Sequence, residues 1–306
     1  MTGAGVRVAA WQFAVSGDIR ANAAAIERGL LAAQEAGAGI LLTSEAALSG
    51  YAGVDFPGFE GFDWELLRAQ TARLASIAAE LGLWLVLGSA HYLSGEVRPT
   101  NCLYLIAPDG RIADRYDKSF LTGFASLDEV PEAELERFAG ETFPFADQAH
   151  YSAGDRLVAF EVGEVRFGLG ICYDMCWPQL FIAYRERGVE VMLFAFHNAA
   201  PQPTCLVDLT VRQAPTRCAD NRMWAVCANT AAAGSQWANF VARPDATIPR
   251  QLAVGAEALL VHDFPDGISP DGWMHNDAPL RLAPAERMHR GAVSSHPRRV
   301  DPLAAP

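Results

Sequence analysis

Three segments of this chain end an apolar run with a side chain capable of chemistry. In "GLGICYDMCWPQL" (168–180), Cys172 and Cys176 stand four positions apart, between an apolar run and a helical segment. In "GILLTSEAALSGY" (39–51) the run ends at Glu45, and in "RIADRYDKSFLTG" (111–123) a strand closes on Lys118. A charge at the end of a buried strand costs free energy unless it is paired or put to use. Glu45 or Lys118 alone reads as a solvated strand end or an ion pair. Together with a thiol they read as a site, because α/β folds gather reactive groups at strand termini.

The two cysteines admit several chemistries. No second Cys or His pair lies at zinc-finger spacing, and histidines 91, 150, 197, 262, 275, 289 and 296 form no HxxxH or HxH element. No bound metal is therefore expected. A redox pair wants two intervening residues, and here there are three. A thiol at a strand end just before a helix lies near backbone N–H groups and a positive helix end, which favour thiolate and bind an oxyanion. Taken alone, an inert core cysteine is the commoner role for such a segment. That is the reading for Cys102, Cys205, Cys218 and Cys227, whereas Cys176 reads as a pocket or packing residue. His197 and Asn198 follow the buried strand "VEVMLFAF" at the expected mouth. Substrate contact and a satisfied structural histidine fit that position equally.

The elements that must position these residues follow from periodicity. Strands are expected at 6–13, 39–47, 83–93, 189–196 and 223–231, and helices at 22–37, 64–81, 177–187 and near 206–220. Residues 100–118 and 156–172 read as hairpins, the first turning at "PDG". The acidic stretch 126–148 reads as an inserted surface excursion with a short helical patch, and 238–248 and 257–265 as late strands. The end, "HPRRVDPLAAP", reads as an arm or frayed tail. Alternating strands and helices with interrupting hairpins indicate one α/β domain with a mixed sheet. A hydrophobic content of 51% over 306 residues supports a sizeable core, and a net charge of −12 argues against a nucleic-acid or anionic-membrane partner. The opening residues do not resemble a secretory leader, and no apolar run approaches the roughly 18 residues of a membrane span. Six scattered cysteines fit a reducing cytoplasm.

In order and separation, these segments resemble the nitrilase superfamily of carbon–nitrogen hydrolases, from about Val6 to Pro265. "VAAWQF…GDIRAN" resembles the family's opening strand and helix, "TSEAALSGY" its glutamate block, "RYDKSFL" its lysine block and "GICYDMCWPQL" its cysteine block. "GVEVMLFAF" and "TRCADNRMWAVCANTAAAG" resemble the strand and helix that follow. The resemblance implies a single-domain four-layer α-β-β-α sandwich over 1–265, with 266–306 an extension or arm at an oligomer interface. It implies Glu45 as general base, Lys118 as oxyanion donor and Cys172 as nucleophile, with the backbone N–H of Tyr173 as a second donor. The family's second glutamate stands seven residues before a glycine; counting back from Gly154 reaches Asp147, with Glu141 an alternative. Ser44, Cys176 and Gln179 stand where many members have Pro, Arg and Glu, and the family's late Asp-Pro-x-Gly turn degrades to "ARPDAT".

The implied reaction cleaves a small amide or carbamoyl compound through a cysteine thioester, with no cofactor, in a homodimer or larger assembly. Tyr173-Asp174 resembles the amidase and carbamoylase branches rather than the nitrile-cleaving one. Nitrile hydrolysis, acyl transfer to an amine and non-catalytic binding are the alternatives.

Overall fold

The computed structural model describes residues 5–94, 97–122, 147–199 and 209–265. The excursion up to residue 146, Glu141 within it, Cys205 and the arm 266–306 lie outside the described residues. In chain order the elements are β1 (Val6–Gln12), α1 (Ile19–Glu35), β2 (Ile40–Leu42), α2 (Trp64–Leu81), β3 (Trp84–His91), β4 (Thr100–Ile106) and β5 (Ile112–Asp117). After the excursion come the one-turn α3 (Asp147–His150), β6 (Ala159–Val162), β7 (Val165–Ile171), α4 (Pro178–Arg185), β8 (Val191–Ala195) and α5 (Leu209–Asn221). The chain closes with β9 (Trp224–Ala228), β10 (Phe240–Ala242), β11 (Arg250–Gln251) and β12 (Ala258–Phe264).

The strands form two six-stranded sheets, ordered β12-β1-β2-β3-β4-β5 and β11-β10-β9-β8-β7-β6. Each has three parallel strands joined by helical crossovers, an antiparallel neighbour on one flank and two antiparallel strands on the other. Side chains alternate across each strand. On β4, Leu103 and Leu105 face the other sheet, where they join Phe167, Leu169, Leu193 and Val226. Cys102, Tyr104 and Ile106 face α1 and α2. The second sheet's outer face packs Met192, Phe194 and Cys227 against Phe181 and Ala214 of α4 and α5. The result is the four-layer α-β-β-α sandwich, and it explains why the strands read as continuous apolar runs: both faces of each sheet are covered.

Element ends differ from the sequence expectation for local reasons. Helix α1 begins at Ile19 rather than 22, because the Asp18 carboxylate caps it, accepting from the N–H groups of Arg20 (2.8 Å) and Ala21 (3.1 Å). The predicted strand 39–47 is strand only through Leu42. Beyond it the chain crosses over β3 at Gly88, where a Cβ would lie 1.9 Å from the Ser44 carbonyl oxygen. Ala46 then takes a left-handed φ of 53°. Glu45 therefore sits in a buried turn past the strand rather than at its end. Similarly, Cys172–Cys176 form a short 3-10 turn before α4 opens on Pro178, and 238–248 is not one strand but β10 and the turn leading to β11.

Candidate active site

The thiol, the lysine and both carboxylates come from four places in the chain. Glu45 lies in the turn after β2, Lys118 directly after β5, Asp147 at the start of α3, and Cys172 directly after β7. Glu45, Lys118 and Asp147 are at most 1% exposed, and Cys172 is partly buried. Three charges so removed from water persist only when paired.

Lys118 is the hub. Its Nζ lies 2.9 Å from Glu45 Oε1 and 2.7 Å from Asp147 Oδ2, with a longer contact of 3.4 Å to the Tyr51 hydroxyl. Burial pushes the lysine pKa down, but Asp147 and Glu45 outweigh it and hold the ammonium well above its ordinary range. Burial likewise pushes Asp147 up. Lys118, the Thr122 N–H at 3.0 Å and the Tyr51 hydroxyl, which donates to Asp147 Oδ1, more than reverse that and hold it below its ordinary value.

Glu45 is oriented by a residue that carried no sequence signal. Asn101 Nδ2, on β4, donates to Glu45 Oε1 at 2.7 Å, and the same oxygen takes the Lys118 contact. Oε2 is buried and accepts no hydrogen bond from a described residue. One carboxylate oxygen is thus anchored and the other is free to take a proton. The Glu45 backbone N–H bonds the Phe196 carbonyl at 3.2 Å, tying this carboxylate's turn to the end of β8.

Cys172 has a left-handed φ of 44°, a strained position for a non-glycine residue. Burial drives its thiol pKa well up, Glu45 adds to this, and Lys118 opposes it. On balance these influences favour the protonated thiol over the thiolate. Asp174, two residues on, is fully buried and accepts from Ile171 N (2.9 Å), Phe120 N (2.9 Å) and the Tyr116 hydroxyl (2.7 Å).

The remaining sequence candidates surround this cluster. His197 is buried, with Nε2 2.9 Å from Asp55 Oδ2 and its ring 5.1 Å from that of Tyr51. Asp55 also accepts the Tyr51 N–H at 2.8 Å, so His197 reaches the lysine through Tyr51. Asn198 is half-buried, and its backbone N–H bonds Asn229 Oδ1 at 2.9 Å. The Tyr173 ring packs edge-on against Trp177, which stacks on Phe120 at 4.4 Å. The Cys176 sulfur lies 3.5 Å from Gln213 Oε1 on α5. A cavity of about 610 Å3 is lined by Arg98, Phe120, Leu121, Gln148, Tyr151 and Trp177, some of them close in sequence to Lys118 and Asp147, though not by those two residues themselves. A larger one, about 990 Å3, lies between α2 and the outer face of β3 and β4 and likewise has none of the catalytic candidates in its lining. Among the described residues no cluster of His, Cys, Asp or Glu has the arrangement of a metal site.

Known proteins share this architecture. Residues 7–264 match the family model described as Carbon-nitrogen hydrolase. An omega-amidase from Homo sapiens is 27% identical over 158 residues, which cover 52% of this chain and 51% of that one. A deaminated glutathione amidase from Homo sapiens is 28% identical over 148 residues, covering 46% and 42%. An apolipoprotein N-acyltransferase from Geobacter metallireducens is 30% identical over 130 residues, covering 42% and 24%. The chain spans about half or less of the length of these curated relatives. Among solved structures, an amidase from a Nesterenkonia species superposes with a TM-score of 0.71 at 23% identity, covering 95% of this chain and 98% of that one. Active-site mutants of that amidase have also been solved in complex with butyramide and with acrylamide. This chain belongs to the carbon-nitrogen hydrolase family.

Proposed function

We propose that this member of the family hydrolyses a small amide through a thioester on Cys172. Glu45 Oε2 takes the thiol proton as sulfur attacks the carbonyl carbon. Lys118 and the backbone N–H of Tyr173 hold the oxygen that becomes negative. The weak 3.4 Å contact from Lys118 to Tyr51 is the one exchanged for that oxygen, while the two carboxylate contacts keep the ammonium in place. Glu45 then gives its proton to the departing nitrogen, and the C–N bond breaks. It next takes a proton from water, whose oxygen attacks the thioester. The C–S bond breaks, Glu45 returns that proton to the departing sulfur, and the free acid, the thiol and the carboxylate are restored. The observation that carries the reading is the split glutamate: one oxygen is fixed by Asn101 and Lys118, and the other accepts no hydrogen bond from a described residue.

The preferred substrate is a neutral or cationic amide rather than its α-carboxylated analogue. Met175, Cys176 and Trp177 follow the nucleophile without a cation, and Arg217 is turned to the carbonyls of Met175 (3.4 Å) and Cys176 (3.5 Å). Ammonia release from matched amides, carbamoyl compounds and nitriles tests both parts. The expected order is neutral amide first, with the carboxylated analogue ten- to hundredfold lower in kcat/KM, the worth of a lost charge-assisted hydrogen bond. A preference for the carboxylated amide would overturn this and pass the grip to Arg98. Acyl transfer to an added amine in place of ammonia-linked hydrolysis would move the chain to the transferase reading. A cytoplasmic homodimer or larger assembly, with residues 266–306 at the interface, completes the proposal; light scattering at micromolar concentration that finds only monomer counts against it.

A further inference from the structure

The reaction needs Lys118 and Cys172 in fixed register, yet they belong to different sheets, one after β5 and the other after β7. We propose that Asp174 is a positioning residue that sets the lysine against the nucleophile, by binding the backbone on both sides at once. On the nucleophile's side its carboxylate accepts from the N–H of Ile171, the residue before Cys172. On the lysine's side it accepts from the N–H of Phe120 and the hydroxyl of Tyr116, two residues after and two before Lys118. Three donors converge on one fully buried carboxylate: two flank Lys118, and the third immediately precedes Cys172. Asp174 itself makes no hydrogen bond to Cys172 or Lys118; it acts through the two backbones. A second link runs parallel, the stacked rings of Phe120 and Trp177.

Burial pushes the Asp174 carboxyl up to about 6, so the group is ionised and accepting in an assay at pH 8. Asparagine in its place keeps one acceptor oxygen and turns an NH2 toward at least one donor. One link must then lengthen, and the lysine and thiol lose register. The inference rests on the amidase reading for its kinetic arm, so the test includes a readout independent of turnover.

Alkylation of Cys172 by iodoacetamide at pH 8, followed by peptide mass mapping, supplies it. Removing a nearby negative charge would by itself favour thiolate and speed alkylation. Loss of register with Lys118 slows it. We expect Asp174→Asn to alkylate at least tenfold more slowly than wild type and to lose at least thirtyfold in kcat with KM changed less than threefold. Tyr116→Phe removes one donor without a cavity; it should shift both rates in the same direction, about threefold, at a near-wild-type melting temperature. If both variants alkylate at the wild-type rate or faster, Asp174 does not position the pair. Wild-type protein that alkylates normally but releases no product from any amide would instead overturn the amidase reading and leave the positioning result standing.

Discussion

The two halves of the molecule share one strand plan but use it for opposite ends. In the first, Asn101 is the second residue of β4 and faces Lys118, whose backbone N–H bonds the Asn101 carbonyl at 2.8 Å. In the second, Asn239 precedes β10 and faces Leu252, whose N–H bonds the Asn239 carbonyl at 2.9 Å. The side chains then part company. Asn101 reaches the Glu45 carboxylate, and its own Oδ1 accepts nothing from a described residue. Asn239 is saturated: Oδ1 accepts from Asn229 N at 2.7 Å, and Nδ2 donates to the Ala10 carbonyl at 3.1 Å. The same corner holds a network of three buried charges in one half and a web of neutral amides in the other. Buried charge is poor structural material, so its concentration in one corner marks where function was placed. The second half contributes Cys172 and the strain in its backbone.

The largest difference between the corners should appear at the matched pair Lys118 and Leu252. Lys118→Met is expected to lower kcat by about 10²-fold or more. Lys118→Arg should also fail, because a planar fork cannot present a compact charge at the same point. Leu252→Met should leave kcat within about twofold, since volume is conserved. Steady-state assays of the three variants check this, and equal losses at both positions would break the comparison.

The asparagines come next. Asn101→Ala frees Glu45 Oε1 from its neutral donor and should cost about tenfold in kcat, by the weight of one hydrogen bond to a charged group. Asn239→Ala should leave kcat nearly intact but lower unfolding free energy by about 2–3 kcal/mol, because two buried backbone groups lose their partners. Urea denaturation and kinetics on the same samples separate the two effects.

Much of the charged corner was legible in the sequence because charge is conspicuous at the end of an apolar run, as at Glu45, Lys118 and the strand before Cys172. Asp147 was reached only by counting back from Gly154, and the structure brings it to 2.7 Å from Lys118. Asn101 was invisible for a physical reason: within "TNCLYLI" it reads as one more residue of a covered strand, and its partner lies 56 positions away. Asp55, in a loop of "GVDFPGF", gave no hint that it would meet His197. The overlong strand at 39–47 failed because burial on all sides produces an apolar run with or without a ladder. The close approach at Gly88 that bends the chain away is a tertiary fact.

A smaller test concerns Asp147 and pH. Its folded pKa is depressed, so the stability it contributes is present above its ordinary value of 3.8 and is lost as pH falls through the lower folded value. The gap in unfolding free energy between wild type and Asp147→Asn should therefore be full at pH 6 and narrow below about pH 4; a gap that widens on acidification would reverse the assigned direction. Smallest is the strain at the base's turn. Ala46→Gly relieves a left-handed alanine at some entropic cost and should raise stability by about 0.5–1 kcal/mol with activity retained.

The central claim is that Cys172 carries the acyl group. Rapidly quenched wild-type protein, mixed with a small neutral amide and mapped by peptide mass spectrometry, should show the acyl mass on the peptide at Cys172. The Cys176→Ala variant should show the same adduct, whereas Cys172→Ala should show no adduct and release no ammonia. An adduct on Cys176, or ammonia released by Cys172→Ala at the wild-type rate, would contradict the account.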